Sequence, residues 1–113
     1  MITVQDVFEL LAKFAPVEYK EDFDNVGLLV GDGTQTVSRV LVALDVTLEV
    51  AKEAKRIGAE LIVAHHPLFF SLKSITEDEP TGKLIRYLIS SNISAISMHT
   101  NLDKANVGVN DML

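Results

Sequence analysis

The sequence contains no cysteine among its 113 residues. Disulfide bonds, cysteine-ligated zinc sites, iron–sulfur clusters and thiol catalysis are therefore excluded for this sequence. Basic residues are also scarce, since 10 lysines and arginines stand against 16 aspartates and glutamates and the net charge is −6. Nucleic acids are bound through basic patches, so this charge balance argues against nucleic acid as a partner.

Long apolar runs and a basic N-terminal segment are absent as well. No apolar stretch reaches the roughly 20 residues that cross a bilayer, and the first six residues carry no lysine or arginine of a secretory signal. The hydrophobic share of 48% and the charged share of 23% are typical of a folded globular chain. We therefore expect one domain over residues 1–113, soluble and cytoplasmic, with no membrane partner.

Apolar residues recur at helical spacing in three segments, at 4–14, 48–57 and 84–89. Thr3 and Asp6 have the spacing of a capping box for the first of these helices. Thr47 is a favourable N-cap for the second, and Gly58 is a favourable residue at its C-terminal end.

Four apolar runs predict β-strands, at residues 26–30, 39–44, 61–64 and 93–98. The first run meets Asp32-Gly33, which predicts a tight turn and a returning strand. The second is continuously apolar after Arg39, as expected of a strand that is buried on both faces. The later order β-α-β-α-β predicts an α/β fold, a three-layer domain with a mainly parallel central sheet flanked by helices.

All three histidines of the sequence follow predicted strands. His65 and His66 come directly after residues 61–64, and His99 follows the run at 93–98 with Asp103 close behind. Asp45 ends the run at 39–44. Because ligands bind outside the carboxyl ends of parallel strands, this placement predicts a metal site at one edge of the sheet.

The histidine pair favours two ions over one. Neighbouring side chains on a strand point to opposite sides, and Pro67 restricts His66 to extended backbone, so each imidazole would face its own ion. A carboxylate such as Asp103 could then bridge the two ions. Paired ions activate water against phosphate esters and related electrophiles. Imidazole and carboxylate ligands suit a divalent transition metal but do not distinguish zinc, iron, manganese or nickel.

Each candidate also has a simpler interpretation. His65 and His66 could be ordinary hydrogen-bonded histidines of a loop. His99 is a candidate catalytic residue or proton shuttle, or a group that only orients a ligand. Asp45 is a candidate base or ligand, or a turn residue before the Thr47 cap. Lys73 is a candidate for contacting an anionic substrate, or a solvated loop lysine.

Four ordered segments resemble those of the NGG-interacting-factor-three-like family, which includes the GTP cyclohydrolase I type 2 homologs. The resemblance covers essentially the whole chain. It rests on Asp24-Asn25-Val26-Gly27-Leu28, Ala43-Leu44-Asp45-Val46-Thr47, His65-His66-Pro67-Leu68 and His99-Thr100-Asn101-Leu102-Asp103.

The resemblance implies a toroidal homohexamer of α/β subunits with a dinuclear metal centre that faces the central cavity. By position, His65, His66 and Asp103 match three of the metal ligands. The remaining family ligands, a histidine and a glutamate four residues apart on a helix, would lie beyond Leu113. We therefore expect this sequence to be the N-terminal half of a longer family fold. With only three ligands, its own site should be weak, mononuclear or empty.

The predicted function is that of a metal-dependent hydrolase acting on nucleotides or other phosphorylated small molecules. The alternative is a metal-binding, ring-forming scaffold without turnover. A third interpretation is an interaction domain whose histidines are incidental.

Overall fold

The computed structural model describes residues 1–14, 26–69 and 72–98, and these residues form helices and one sheet. The helices are α1 (Val4–Phe14), α2 (Leu48–Ile57) and α3 (Pro80–Ser90). The strands are β1 (Gly27–Val30), β2 (Val40–Ala43), β3 (Leu61–Ala64) and β4 (Ser94–Ser97). None of the helices in these ranges is long and apolar enough to cross a membrane.

The four strands form one sheet in the order β1-β4-β3-β2. Strands β2, β3 and β4 are parallel to their neighbours, while β1 is antiparallel to β4. Helices α2 and α3 provide the two crossovers between the parallel strands, as such pairing requires. The prediction of a mainly parallel sheet is confirmed, and the carboxyl ends of three strands meet at one edge.

The predicted hairpin after β1 is wrong. Residue Asp32 does form a local turn, because its side chain accepts hydrogen bonds from the N–H and hydroxyl of Thr34 at 2.9 and 2.7 Å. The chain then bonds to the start of the protein, with an isolated bridge between Thr3 and Thr36. Backbone bonds join Gln5 N–H to the Gly33 carbonyl at 2.9 Å and Val37 N–H to Ile2 at 2.8 Å. These bonds lead the chain away from β1, and β2 forms at the opposite edge of the sheet.

Helix α1 covers one face of the sheet, and α2 and α3 cover the other. On the α1 face, Val4 packs with the strand residues Leu61 and Ile96, all fully buried. On the other face, Ile62 and Ala95 pack with helix residues such as Leu88. The three-layer arrangement predicted from the sequence is therefore confirmed.

Strand β2 is an edge strand, and the prediction that both of its faces are buried is wrong. Val42 is 76% exposed and Leu44 is 58% exposed. Leu41, which points to the opposite face, packs against the core on the side of α2 and α3. Because the buried cluster under α1 includes residues of β1, β3 and β4 but none of β2, the apolar residues of β2 on that face remain in solvent.

The predicted helix caps are present and hold the helix ends in place. The Thr3 hydroxyl accepts from Asp6 N–H at 3.1 Å, and the Asp6 carboxylate accepts from Thr3 N–H at 2.9 Å. The Thr47 hydroxyl accepts from Val50 N–H at 3.1 Å. Gly58 ends α2 in the left-handed conformation with φ of 77°. Helix α2 thus begins at Leu48, three residues after Asp45, at the edge where the site is expected.

Candidate metal centre

The ends of β2 and β3 bring Asp45 and the two histidines together. The parallel pairing of these strands continues past their last residues, since the His65 N–H donates to the Ala43 carbonyl at 3.3 Å. In the next step His66 N–H donates to the Leu44 carbonyl at 3.0 Å. The prediction that these side chains gather at one edge of the sheet is therefore confirmed for the three of them.

Asp45 contacts His66 directly. The distance from the Asp45 Oδ1 to the His66 Nδ1 is 2.6 Å, within the range of a strong hydrogen bond. Both side chains remain accessible, with 56% of Asp45 and 41% of His66 exposed. A carboxylate has only acceptor sites, so Nδ1 carries the hydrogen and, in the neutral ring, Nε2 carries the lone pair.

The two imidazoles lie in contact. Their ring centroids are 4.9 Å apart and their planes are inclined by 68°. The prediction that they point to opposite sides is wrong, because β3 ends at Ala64 and the backbone bends at both histidines.

The other two predicted site residues, His99 and Asp103, lie outside the described residues. The described chain ends at Met98, which is buried and whose N–H donates to the Ala64 carbonyl at 3.0 Å. Strand β4 therefore runs beside β3 as far as the residue before the histidine pair. Within residues 1–14, 26–69 and 72–98, no group of three or more histidines, aspartates, glutamates or cysteines could hold one metal ion. The described donors fit a metal site in type, with two imidazoles and a carboxylate bound to one of them, and Asp103 stays a predicted ligand.

A surface groove of about 490 Å³ lies next to the site and was not predicted. Val46 and Thr47, which follow Asp45, line it, and so does Leu68, two residues after His66. Glu77, Asp78 and Lys83 bring charge to it. Its residues come from three separate parts of the sequence, so no local pattern could have indicated it.

The two carboxylates of this groove, Asp78 and Glu77, accept hydrogen bonds from neighbouring side chains. The Thr76 side chain donates to Asp78 and lowers the pKa of that carboxyl below its ordinary value. Glu77 accepts from the Arg86 Nε at 2.8 Å. Lys73 is exposed in the loop before α3 and does not line the groove. The structure thus does not place Lys73 at the candidate site.

A family model supplies the deciding comparison. The model of the family described as Duf34/NIF3 (NGG1p interacting factor 3) matches residues 2–113. The chain belongs to the Duf34/NIF3 family. The resemblance identified from the four sequence segments is confirmed.

Among curated members of the Duf34/NIF3 family, a GTP cyclohydrolase 1 type 2 homolog of Clostridium perfringens is 49% identical over 111 residues. The match covers 97% of this chain and 42% of that protein. A GTP cyclohydrolase 1 type 2 of Helicobacter pylori is 41% identical, with 95% of this chain and 44% of that protein covered.

The fold also matches part of solved structures of longer chains. The crystal structure of a Staphylococcus aureus hypothetical protein superposes with a TM-score of 0.92 at 45% identity, covering 97% of this chain and 37% of that one. The chain therefore spans 37% to 44% of the length of these three relatives. The expectation that it corresponds to part of a longer family fold is confirmed.

Proposed function

We propose that this protein binds a divalent transition metal through His65, His66 and Asp103. In the complete site of the longer fold, with two ions, it would hydrolyse nucleotides or other phosphorylated small molecules. The contact of 2.6 Å between Asp45 and His66 carries the metal part of this proposal. Histidines that bind metals usually donate their second ring N–H to a carboxylate or carbonyl. His66 has this arrangement through its contact with Asp45.

The names of the relatives support the catalytic part. Two of them are called GTP cyclohydrolase 1 type 2 or its homolog, so GTP is the first substrate to test. A bound metal pair would supply a Lewis acid and an activated water to such a reaction. His65 and His66 would hold the ions, Asp103 would link them, and Asp45 would orient the His66 ring. His99 remains the candidate for moving a proton.

The charge of the described surface indicates how a phosphate would be bound. Residues 73–83 carry three carboxylates against two lysines, and Lys73 does not line the groove. This loop therefore has a small net negative charge and would attract an anionic substrate poorly. Its phosphates would then depend on the metal ions for their electrostatic attraction. We expect retention of GTP by the protein to require added metal and to be lost with a chelator, as equilibrium dialysis can measure.

Metal analysis tests the proposal directly. The longer protein that contains the complete site, loaded with Zn²⁺ or Mn²⁺ and then desalted, should retain metal by mass spectrometry, and its double variant His65→Ala/His66→Ala should retain at least tenfold less. Lys73→Ala is the matched control, since it changes an exposed residue away from the pair. Equal metal content in the wild type and the double variant would refute the site.

Turnover separates an enzyme from a scaffold. The metal-loaded protein is incubated with GTP and a panel of phosphate esters, and product is measured by chromatography for the wild type and for His65→Ala. Product that depends on His65 supports the hydrolase. If the wild-type full-length protein binds metal but forms no product, the metal-binding scaffold is the better description.

The proposal includes assembly of several copies, as a ring with the site facing its centre. The exposed apolar residues of β2 are the described surface that supports association, because such patches mark contacts between proteins. The cytoplasmic location expected from the sequence completes the proposal. The mass of the protein in solution, from light scattering, tests the assembly.

A further inference from the structure

Asp45 and His66 are held against each other by the backbone on both sides. They are 21 residues apart in the sequence, yet the pairing of β2 with β3 brings them together. The His66 N–H bond to the Leu44 carbonyl fixes the backbone next to Asp45. On the other side of Asp45, the Thr47 hydroxyl caps α2. The fold therefore brings the backbones of the two residues close enough for this contact.

The chemistry of the contact sets the state of the imidazole. Since Oδ1 can only accept, the hydrogen is on Nδ1 and the lone pair of the neutral ring is on Nε2. The other tautomer would place the Nδ1 lone pair against the carboxylate oxygen, which is unfavourable at this distance. The side chain of Asp45 is 56% exposed, so an ion pair there adds little to folding stability. Control of the His66 ring is the effect that the geometry does support.

We propose that Asp45 is a positioning residue that selects the Nδ1–H tautomer of His66 and orients its Nε2 toward the metal. This assignment replaces the candidate roles of Asp45 as a base or a direct ligand. The orientation of Nε2 toward a metal rests on the proposed metal site. The tautomer itself is a property of the metal-free protein, so it can be tested without any metal.

The test compares the wild type with Asp45→Asn, which keeps the shape of the side chain and removes its charge. Asp32→Asn is the matched control, because Asp32 also follows a strand and its side chain accepts hydrogen bonds from Thr34. Long-range ¹H–¹⁵N spectra of the metal-free proteins report the tautomer of His66, at about pH 8 where an ordinary imidazole is neutral. The affinity for Zn²⁺ is measured by competition with a chromogenic chelator.

We expect the Nδ1–H form of His66 in the wild type and in Asp32→Asn, and loss of that preference in Asp45→Asn. The affinity for Zn²⁺ should fall about 10- to 100-fold in Asp45→Asn alone. The melting temperature should hardly change, which excludes misfolding as the cause. An unchanged tautomer in Asp45→Asn would overturn the proposal, whatever the metal affinity.

The two proposals fail in different ways. If the wild type binds no Zn²⁺ but the tautomer still changes in Asp45→Asn, the metal function is rejected and the control of His66 by Asp45 stands. If Zn²⁺ binds equally to the wild type and Asp45→Asn, the metal function stands and the orienting role of Asp45 is rejected.

Discussion

Glu60, the residue before β3, binds the backbone just before β2. Its Oε1 accepts from the backbone N–H groups of Ser38 and Arg39 at 3.0 and 3.1 Å, and its Oε2 accepts from the Ser38 hydroxyl at 3.0 Å. These hydrogen bonds lower the pKa of Glu60 below its ordinary value, and the bond from the Ser38 N–H has the largest effect. Burial acts in the opposite direction and raises the pKa, but by less. One side chain thus fastens the N-terminal end of the edge strand whose other end carries Asp45.

We predict that Glu60→Gln destabilises the protein by about 1 kcal/mol at neutral pH, because hydrogen bonds to a charged acceptor are replaced by weaker ones. The folded-state pKa is depressed, so the contribution is fully present above the unfolded-state pKa, about 4.3 for glutamate. It is lost as the pH falls through the lower folded-state pKa. Urea unfolding at several pH values between 7 and 3 measures the difference.

The difference between wild type and Glu60→Gln should therefore shrink below about pH 4. Glu49→Gln, on the exposed surface of α2, is the control and should show no such trend. A difference that stays constant down to pH 3 would contradict the role given to the Glu60 charge.

At the scale of elements, the loop before α3 crosses that helix at very close range. Gly82 is buried in α3, and a Cβ added there would lie 2.4 Å from the Thr76 carbonyl oxygen and 2.5 Å from the Thr76 nitrogen. Both neighbours are backbone atoms. The loop approaches the helix this closely because residue 82 has no side chain.

We predict that Gly82→Ala destabilises the protein although alanine is the better helix former. The gain in helix propensity is about 1 kcal/mol, while overpacking against backbone costs about 1–3 kcal/mol and displaces the loop. The net loss should lower the melting temperature by several degrees, as circular dichroism can record.

Gly33→Ala is the matched control, because its added Cβ would meet the flexible end of the Gln5 side chain at 3.3 Å. It should shift the melting temperature much less. A Gly82→Ala protein that is more stable than the wild type would show that the loop moves away from α3 without cost.

At the scale of the whole molecule, the sheet has an apolar edge. Strand β2 pairs only with β3 in the part of the chain that the structure describes. Val42 on this strand is 76% exposed, and Leu44, the residue after it ends, is 58% exposed. An edge strand with exposed apolar residues is a template for pairing with another chain.

We predict that Val42→Lys reduces self-association of the protein, since lysine on an edge strand opposes strand pairing. The free energy of unfolding should change by less than about 0.5 kcal/mol, because the side chain is already in solvent. Sedimentation velocity over a range of concentrations measures the association. Ile89→Lys, at a residue 58% exposed on α3, is the control. If the two variants associate to the same extent, the edge of β2 is not the contact.

Local patterns allowed much of this molecule to be predicted. The capping box at Thr3 and Asp6, the Thr47 cap and the Gly58 end of α2 depend on residues within a few positions of one another. The crossovers place strand ends at one edge of a parallel sheet, so the grouping of Asp45 with the histidines could also be predicted.

The pairing of β1 with β4, the exposure of β2 and the contact of Asp45 with His66 could not be predicted from local patterns. Each depends on which distant segments form hydrogen bonds with each other and on which strand faces the helices bury. The segment after Asp32 has the composition of a hairpin turn, but it bonds to the N-terminus instead. Residues 39–44 have the composition of a central strand, but they lie at an edge beyond α1.

The helices, the strands and the position of the histidine pair at a strand end could be read from the sequence, because each depends on residues close together in the chain. The family could be identified from four sequence segments that occur in a fixed order. Only the tertiary structure decided that Asp45 meets the Nδ1 of His66 and that the two imidazoles touch. These contacts arise from the register of β2 against β3 and from the bend after Ala64, and both are set by packing across the whole sheet.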